Sequence, residues 1–77
     1  MEVGEKIRLL RQSKGWSQGK LAEKMGYTSR STINKIEAGV NEVSLSTLRR
    51  LAAALEVDIR DLVTEDPIVI PEKEEQP

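Results

Sequence analysis

Cysteine and histidine are both absent from the 77-residue chain. Their absence removes any disulfide frame, any thiol nucleophile and any soft-donor metal site. A metal held by carboxylates alone would need clustered acids, and before the tail the acids are scattered. No apolar run approaches the ~20 residues needed to span a bilayer. The opening Met1-Glu2-Val3-Gly4-Glu5-Lys6 is charged and has no apolar stretch, unlike a signal peptide. There is no glycine-rich phosphate loop, and no catalytic constellation for which a small helical domain would supply a pocket. A cytoplasmic chain with no cofactor, no enzymatic activity and no membrane partner is therefore expected. All three prolines (Pro67, Pro71, Pro77) fall in the last eleven residues, so nothing before Asp66 is barred from helix by proline.

The formal net charge is −1, an unpromising total for a protein that meets a polyanion. Position changes the picture. Residues 1–37 hold eight Lys/Arg against four Asp/Glu, residues 38–63 three against four, and residues 64–77 one against five. The positive excess is confined to the first half and the acid is mostly in the tail. A core built by so short a chain rarely supplies more than about 3–5 kcal/mol net, so well-formed helices or a second subunit should help.

Apolar periodicity and turn signals predict five short helices. Val3, Ile7 and Leu10 line one face of the first, which Lys14-Gly15 ends. Ser17 is placed to cap the second, with Trp16 before the cap and Leu21 at the spacing of a hydrophobic staple; Lys20 stands where a capping box would have an acid. Leu21, Ala22 and Met25 face inward and Gly26 closes that helix, about 17–25. The third, about 29–37, starts at Thr28-Ser29, buries Ile33 and Ile36, and closes at Ala38-Gly39. The fourth begins at Ser44 or Ser46 with a stripe of Leu45, Leu48, Leu51, Ala52 and Leu55. The fifth starts at Asp58, with Val57 and Leu62 at staple spacing. From Thr64 the chain reads as a flexible, acidic, proline-punctuated tail. Its one beta-prone run, Ile68-Val69-Ile70, could dock on a partner instead.

Two short helices joined by a glycine-containing turn, the second rich in small polar and basic residues, form a DNA-reading layout. Such a helix needs an apolar edge to seat it, supplied here by Ile33 and Ile36. The opposite edge must present donors and acceptors to base edges, and Arg30, Ser31, Asn34 and Lys35 lie on that side. Arginine is suited to guanine, whose O6 and N7 accept a bidentate pair of hydrogen bonds. Lys35 can read a base or hold the backbone; Ser31 can read a base or cap the helix; Thr32 suits a cap or a phosphate.

The string Trp16-Ser17-Gln18, Leu21-Ala22-Glu23-Lys24-Met25-Gly26-Tyr27, Ser31-Thr32-Ile33, Ile36-Glu37-Ala38-Gly39 resembles the lambda-repressor-like, Cro-type helix-turn-helix family, often called the XRE family. The resemblance runs on through Leu48, Ala52, Leu55-Glu56-Val57 and Leu62, and Gly26 to Ile33 looks particularly like small phage and mobile-element repressors. It implies an all-α, five-helix DNA-binding domain over residues 1–63, with residues 64–77 as a tail. By position, Gln18 matches a residue that contacts phosphate and braces the recognition helix, Arg30 and Ser31 the first base-reading positions, and Lys35 another. Ser29 and Thr32 match positions near phosphates, and Asn41 and Ser44 a loop that clamps the backbone. Arg11 and Glu37 match a pair that forms a buried salt bridge in some members. Three departures stand out. The turn before the third helix is one residue longer than the commonest spacing, Val40-Asn41-Glu42-Val43 replaces a basic loop, and Gly19-Lys20 replaces an acidic pair.

The resemblance implies a sequence-specific regulator of transcription, a repressor acting as a homodimer on a near-palindromic operator in double-stranded DNA. Leftover apolar surface at Val57, Ile59 and Val63 is the expected dimer patch. Two alternatives stay open: an antitoxin-type module that binds a protein partner through its tail, and the N-terminal part of a longer repressor.

Overall fold

The computed structural model describes residues 1–40 and 42–68. Among them the chain forms α1 (Val3–Ser13), α2 (Gln18–Met25), α3 (Arg30–Ala38), α4 (Leu45–Leu55) and α5 (Ile59–Val63), with no strand. The expected all-α, five-helix architecture is what forms.

Local capping chemistry places most of the helix starts. Ser17 Oγ accepts from the Lys20 amide at 3.0 Å, Ser44 Oγ from Thr47 at 3.2 Å, and an Asp58 carboxylate oxygen from Arg60 at 2.8 Å. Each satisfies an amide that the first helical turn leaves without a partner. The choice between Ser44 and Ser46 as the start of α4 therefore falls to Ser44. Ser29 caps α3 from outside, accepting from the Ser31 amide at 3.1 Å, so the helix proper begins at Arg30. Glycine at φ +78° (Gly26) ends α2, a left-handed conformation that a Cβ would penalise. Glu56 adopts the same region, at φ +63°, after α4, and its carboxylate accepts from Lys14 Nζ at 2.8 Å.

Ile7, Leu10, Leu21, Ala22, Met25, Ile33, Leu48, Leu51, Ala52, Leu55 and Leu62 close into one buried cluster. Trp16, at the staple position, packs on its edge with Lys14 and Lys24 ammonium groups each 5.3 Å from the ring centroid. Two expectations about the core need correcting. Leu45 is 54 % exposed, because it occupies the first position of α4, beyond the edge of the cluster. Ile36 is only half-buried, so Ile33 alone anchors α3 at full depth.

Two close contacts were not foreseen. Gly4 lies in α1 where it crosses the end of α3, and a Cβ there would stand 2.4 Å from the Glu37 carbonyl oxygen. Lys6 is fully buried; its ammonium donates to the carbonyl oxygens of Asp61 (3.0 Å) and Thr64. Those acceptors belong to the end of α5, where helical carbonyls are left unpaired and the dipole favours a cation. The contacts therefore extend past the boundary expected after Val63. Thr64 is held by Lys6, Glu65 accepts from the Met1 ammonium at 3.1 Å, and Ile68 packs against the core. Val69 and Ile70, and the remainder of the expected flexible tail to residue 77, lie outside the described residues.

Candidate nucleic-acid interface

The inner edge of α3 is fixed by a buried ion pair. Arg11, from α1, donates through Nε to Glu37 Oε2 at 2.7 Å and through a terminal nitrogen to Oε1 at 3.1 Å. Its other terminal nitrogen donates to the Trp16 carbonyl at 2.7 Å. The two side chains are only 10 % and 4 % exposed. Three elements are thus tied at one guanidinium: α1, the residue before the α2 cap, and the last turn of α3. A fork-to-fork pairing of this kind has strong directionality.

Gln18, the first residue of α2, extends the arrangement. Its Nε2 donates to Glu37 Oε1 at 3.1 Å and, at the long distance of 3.5 Å, to Asn34 Oδ1. The half-buried Gln18 thus braces α3 against α2. Both acceptors of its amide nitrogen lie on α3, so in this arrangement a phosphate at Gln18 would meet the backbone. Ser17 engages only the Lys20 amide, which leaves the amides of Gln18 and Gly19 open to an anion.

The outer edge of α3 is different. Arg30, Ser31, Thr32, Asn34 and Lys35 are all exposed. Arg30 and Lys35 form no ion pair within 4.0 Å among the described residues. The Ser29 and Ser31 hydroxyls hydrogen-bond to each other at 2.9 Å, so Ser31 belongs to the cap as well as to the outer face. Beside this edge lies a shallow groove between α3 and the start of α4, whose lining includes Tyr27, Thr32, Lys35, Ser44 and Thr47, and also Glu42, an acid that opposes an anion there. Ser44 Oγ bonds Thr47 Oγ1 at 3.0 Å in addition to capping. A phosphate there would therefore meet the first amides of α4 more readily than the Ser44 hydroxyl. Asn41 lies outside the described residues.

Arg50 contributes a support that sequence reasoning missed. Its guanidinium donates to the Met25 carbonyl at the end of α2 and stands 5.6 Å from the centre of the Tyr27 ring. The turn between α2 and α3 is thus held from α4 by a charge-assisted bond and a cation–π contact. A longer turn needs such a hold, and the only hint in the sequence was an aromatic residue beside Gly26. At the opposite end, Val57 and Ile59 are half-buried against the core while Val63 is 49 % exposed. No group of three or more potential metal ligands occurs among the described residues, and no helix there is long and apolar enough to cross a membrane.

A tightly braced pair of short helices whose second member presents an unpaired polar and basic edge defines a helix-turn-helix DNA-binding protein of lambda-repressor-like fold. Comparison with known proteins agrees: the helix-turn-helix family profile matches residues 7–62, and the chain belongs to that family. The immunity repressor protein of Bacillus phage phi105 is 38 % identical over 76 residues, covering 99 % of this chain and 50 % of the repressor. Among solved structures, the restriction-modification controller protein C.AhdI of Aeromonas hydrophila superposes with a TM-score of 0.72 at 40 % identity, covering 78 % of this chain and 89 % of the controller. SinR, the master regulator for biofilm formation of Bacillus subtilis, solved in complex with DNA, gives a TM-score of 0.73 at 32 % identity, covering 80 % of this chain and 98 % of SinR's resolved chain. The chain spans about half the length of the curated relatives it matches. Those relatives are named as repressors and transcriptional regulators.

Proposed function

We propose that the protein is a sequence-specific double-stranded DNA-binding regulator, a repressor that acts as a dimer on a near-palindromic operator. The observation that carries this reading is the contrast across α3, exposed and unpaired at Arg30 and Lys35, locked at Glu37. A helix held this firmly can enter the major groove without losing the order of its outer side chains, and Arg30 at its first position faces the base edges first. Ser31, Asn34 and Lys35 are the further base-reading candidates. The open amides of Gln18 and Gly19, with Ser29, Thr32, Asn41 and Ser44, are the backbone contacts. The modest positive excess of residues 1–37 favours doubling of the contacts by a second subunit. The exposed Val63, beside Val57 and Ile59, supplies an apolar surface on which two copies can meet. Two recognition helices would then reach half-sites about one helical turn apart, ~34 Å.

The test is selection of bound sites from random duplex DNA, with affinity followed as salt is raised. The expected result is a near-palindromic consensus bound with a steep inverse dependence on salt. Weak binding that ignores sequence would overturn the proposal.

A further inference from the structure

We infer that the buried Glu37 carboxylate, acting through Gln18, fixes the side-chain amide of Asn34 with its nitrogen outward, so that Asn34 reads an acceptor-bearing base. Guanine is the preferred partner, in place of the adenine that an unconstrained asparagine favours. The inference rests on the DNA-reading function proposed above and names one of its specificity determinants.

The chain of reasoning starts at a group whose polarity is not in doubt. The Glu37 carboxylate is paired in two places with Arg11 and, being ionised, can only accept hydrogen bonds. The Gln18 group facing it at 3.1 Å must therefore be the NH2 end of the amide. That same nitrogen faces Asn34 Oδ1 at 3.5 Å, a long and solvent-exposed contact. A second NH2 turned toward it would set donor against donor, so Asn34 presents Oδ1 inward. Nδ2 is then the end left toward solvent and the proposed groove. The terminal amides of Asn34 and Gln18 are nearly symmetric in shape, and only this sequence of donors and acceptors distinguishes their two orientations.

The consequence is chemical. Asparagine pairs with adenine through both ends of its amide, the oxygen taking a hydrogen from N6 and the nitrogen giving one to N7. With Oδ1 held by Gln18, only donors face the base. Guanine offers two acceptors, O6 and N7; thymine offers O4; adenine offers N7 beside an N6 donor that opposes Nδ2. Turning Asn34 over would break its contact to Gln18, a bias of about twofold for so long a neutral hydrogen bond. Gln18 and Glu37 are positioning residues in this scheme, and the base is read by Asn34.

The experiment is site selection from random duplex DNA with four full-length chains: wild type, Asn34→Ala, Asn34→Asp and Gln18→Ala. Asn34→Ala identifies the base position that Asn34 reads, as the one whose preference disappears. In the wild type that position should be guanine, with thymine second. Asn34→Asp, which faces the groove with an acceptor alone, should move it toward cytosine, whose N4 is a donor. Gln18→Ala should shift it toward adenine by about twofold, a change in one column that a general loss of helix order would not produce. Adenine at that position in the wild type, no position responding to Asn34→Ala, or a Gln18→Ala consensus unchanged there would each overturn the inference while leaving the repressor reading intact. Failure of the wild type to select any consensus would overturn both.

Discussion

Along the inner edge of α3 every polar group has a partner: Glu37 holds Arg11 and Gln18, and Arg11 also reaches the Trp16 carbonyl. Along the outer edge, a few ångströms away on the same nine-residue helix, Arg30 and Lys35 have none among the described residues. The inner edge fixes geometry, since a buried ion pair is tolerable only when complete and the loss of one partner leaves a buried charge. The outer cations Arg30 and Lys35 add little to folding, because an exposed cation is already well solvated. The division teaches where mutations should act. Inner substitutions should lower the melting temperature, and outer ones should alter DNA binding at unchanged melting temperature.

The strongest way to break the inner edge is to remove one ion. Arg11→Met or Glu37→Gln should cost roughly 3–5 kcal/mol, because the surviving charge stays buried. Thermal melts of both single variants and the double variant give the coupling. A double variant markedly less damaged than the sum of the singles is expected, and small additive effects would show that the pair is not buried in solution. Gly4→Ala comes next. The new Cβ would press on the backbone of α3 at Glu37, which cannot move aside as a side chain can, and a loss of about 1–3 kcal/mol is expected. Chemical denaturation should show the midpoint falling without a change in slope.

The outer edge calls for a different readout. Lys35→Ala should leave the melting temperature within experimental error. If Lys35 holds phosphate, the slope of log affinity against log salt should fall by about 1; a slope unchanged with loss at one base position would make it a base reader instead. The smallest effect concerns a pair remote from α3. The hydrogen bond from Lys14 holds the Glu56 carboxyl below the usual glutamate range. A carboxyl lowered on folding adds stability above its unfolded pKa and loses that contribution as pH falls through the lowered folded value. Melts of wild type and Glu56→Gln should therefore differ slightly at neutral pH and converge in acid; a gap that is the same at both ends would remove the ion pair from the account.

Much of this arrangement was legible in local sequence. Ser17 and Asp58 announce helix starts, and the pair Ser44 and Ser46 narrows a third, because capping is a contact between neighbours in the chain. Leu21, Ala22, Met25, Leu48, Leu51, Ala52 and Leu55 announce the core because helical periodicity sorts faces. The Arg11 and Glu37 pairing came only from family resemblance, since nothing local brings a cation in α1 to an acid in α3 that lies 26 positions further on. Lys6 was noted only as part of a charged N-terminus; its burial depends on where α5 ends, which is a tertiary fact. Gly4 drew no attention for the same reason, as its close neighbour is the backbone of another helix. Leu45 was assigned inward by periodicity, yet the first residue of a helix can overhang the core it points toward. The outer residues of α3 were nameable from pattern, while the polarity of the Asn34 amide needed the distances to Gln18 and Glu37.

The most direct measurement of the central claim is the affinity of wild type and Arg30→Ala for a selected operator and for scrambled duplex of equal length, in the same salt. The account predicts that Arg30→Ala loses about 1–3 kcal/mol on the operator, confined to one base position, and little on scrambled DNA, at an unchanged melting temperature. Equal loss on both duplexes would make Arg30 a phosphate contact and contradict the assignment of the outer edge of α3 to base reading.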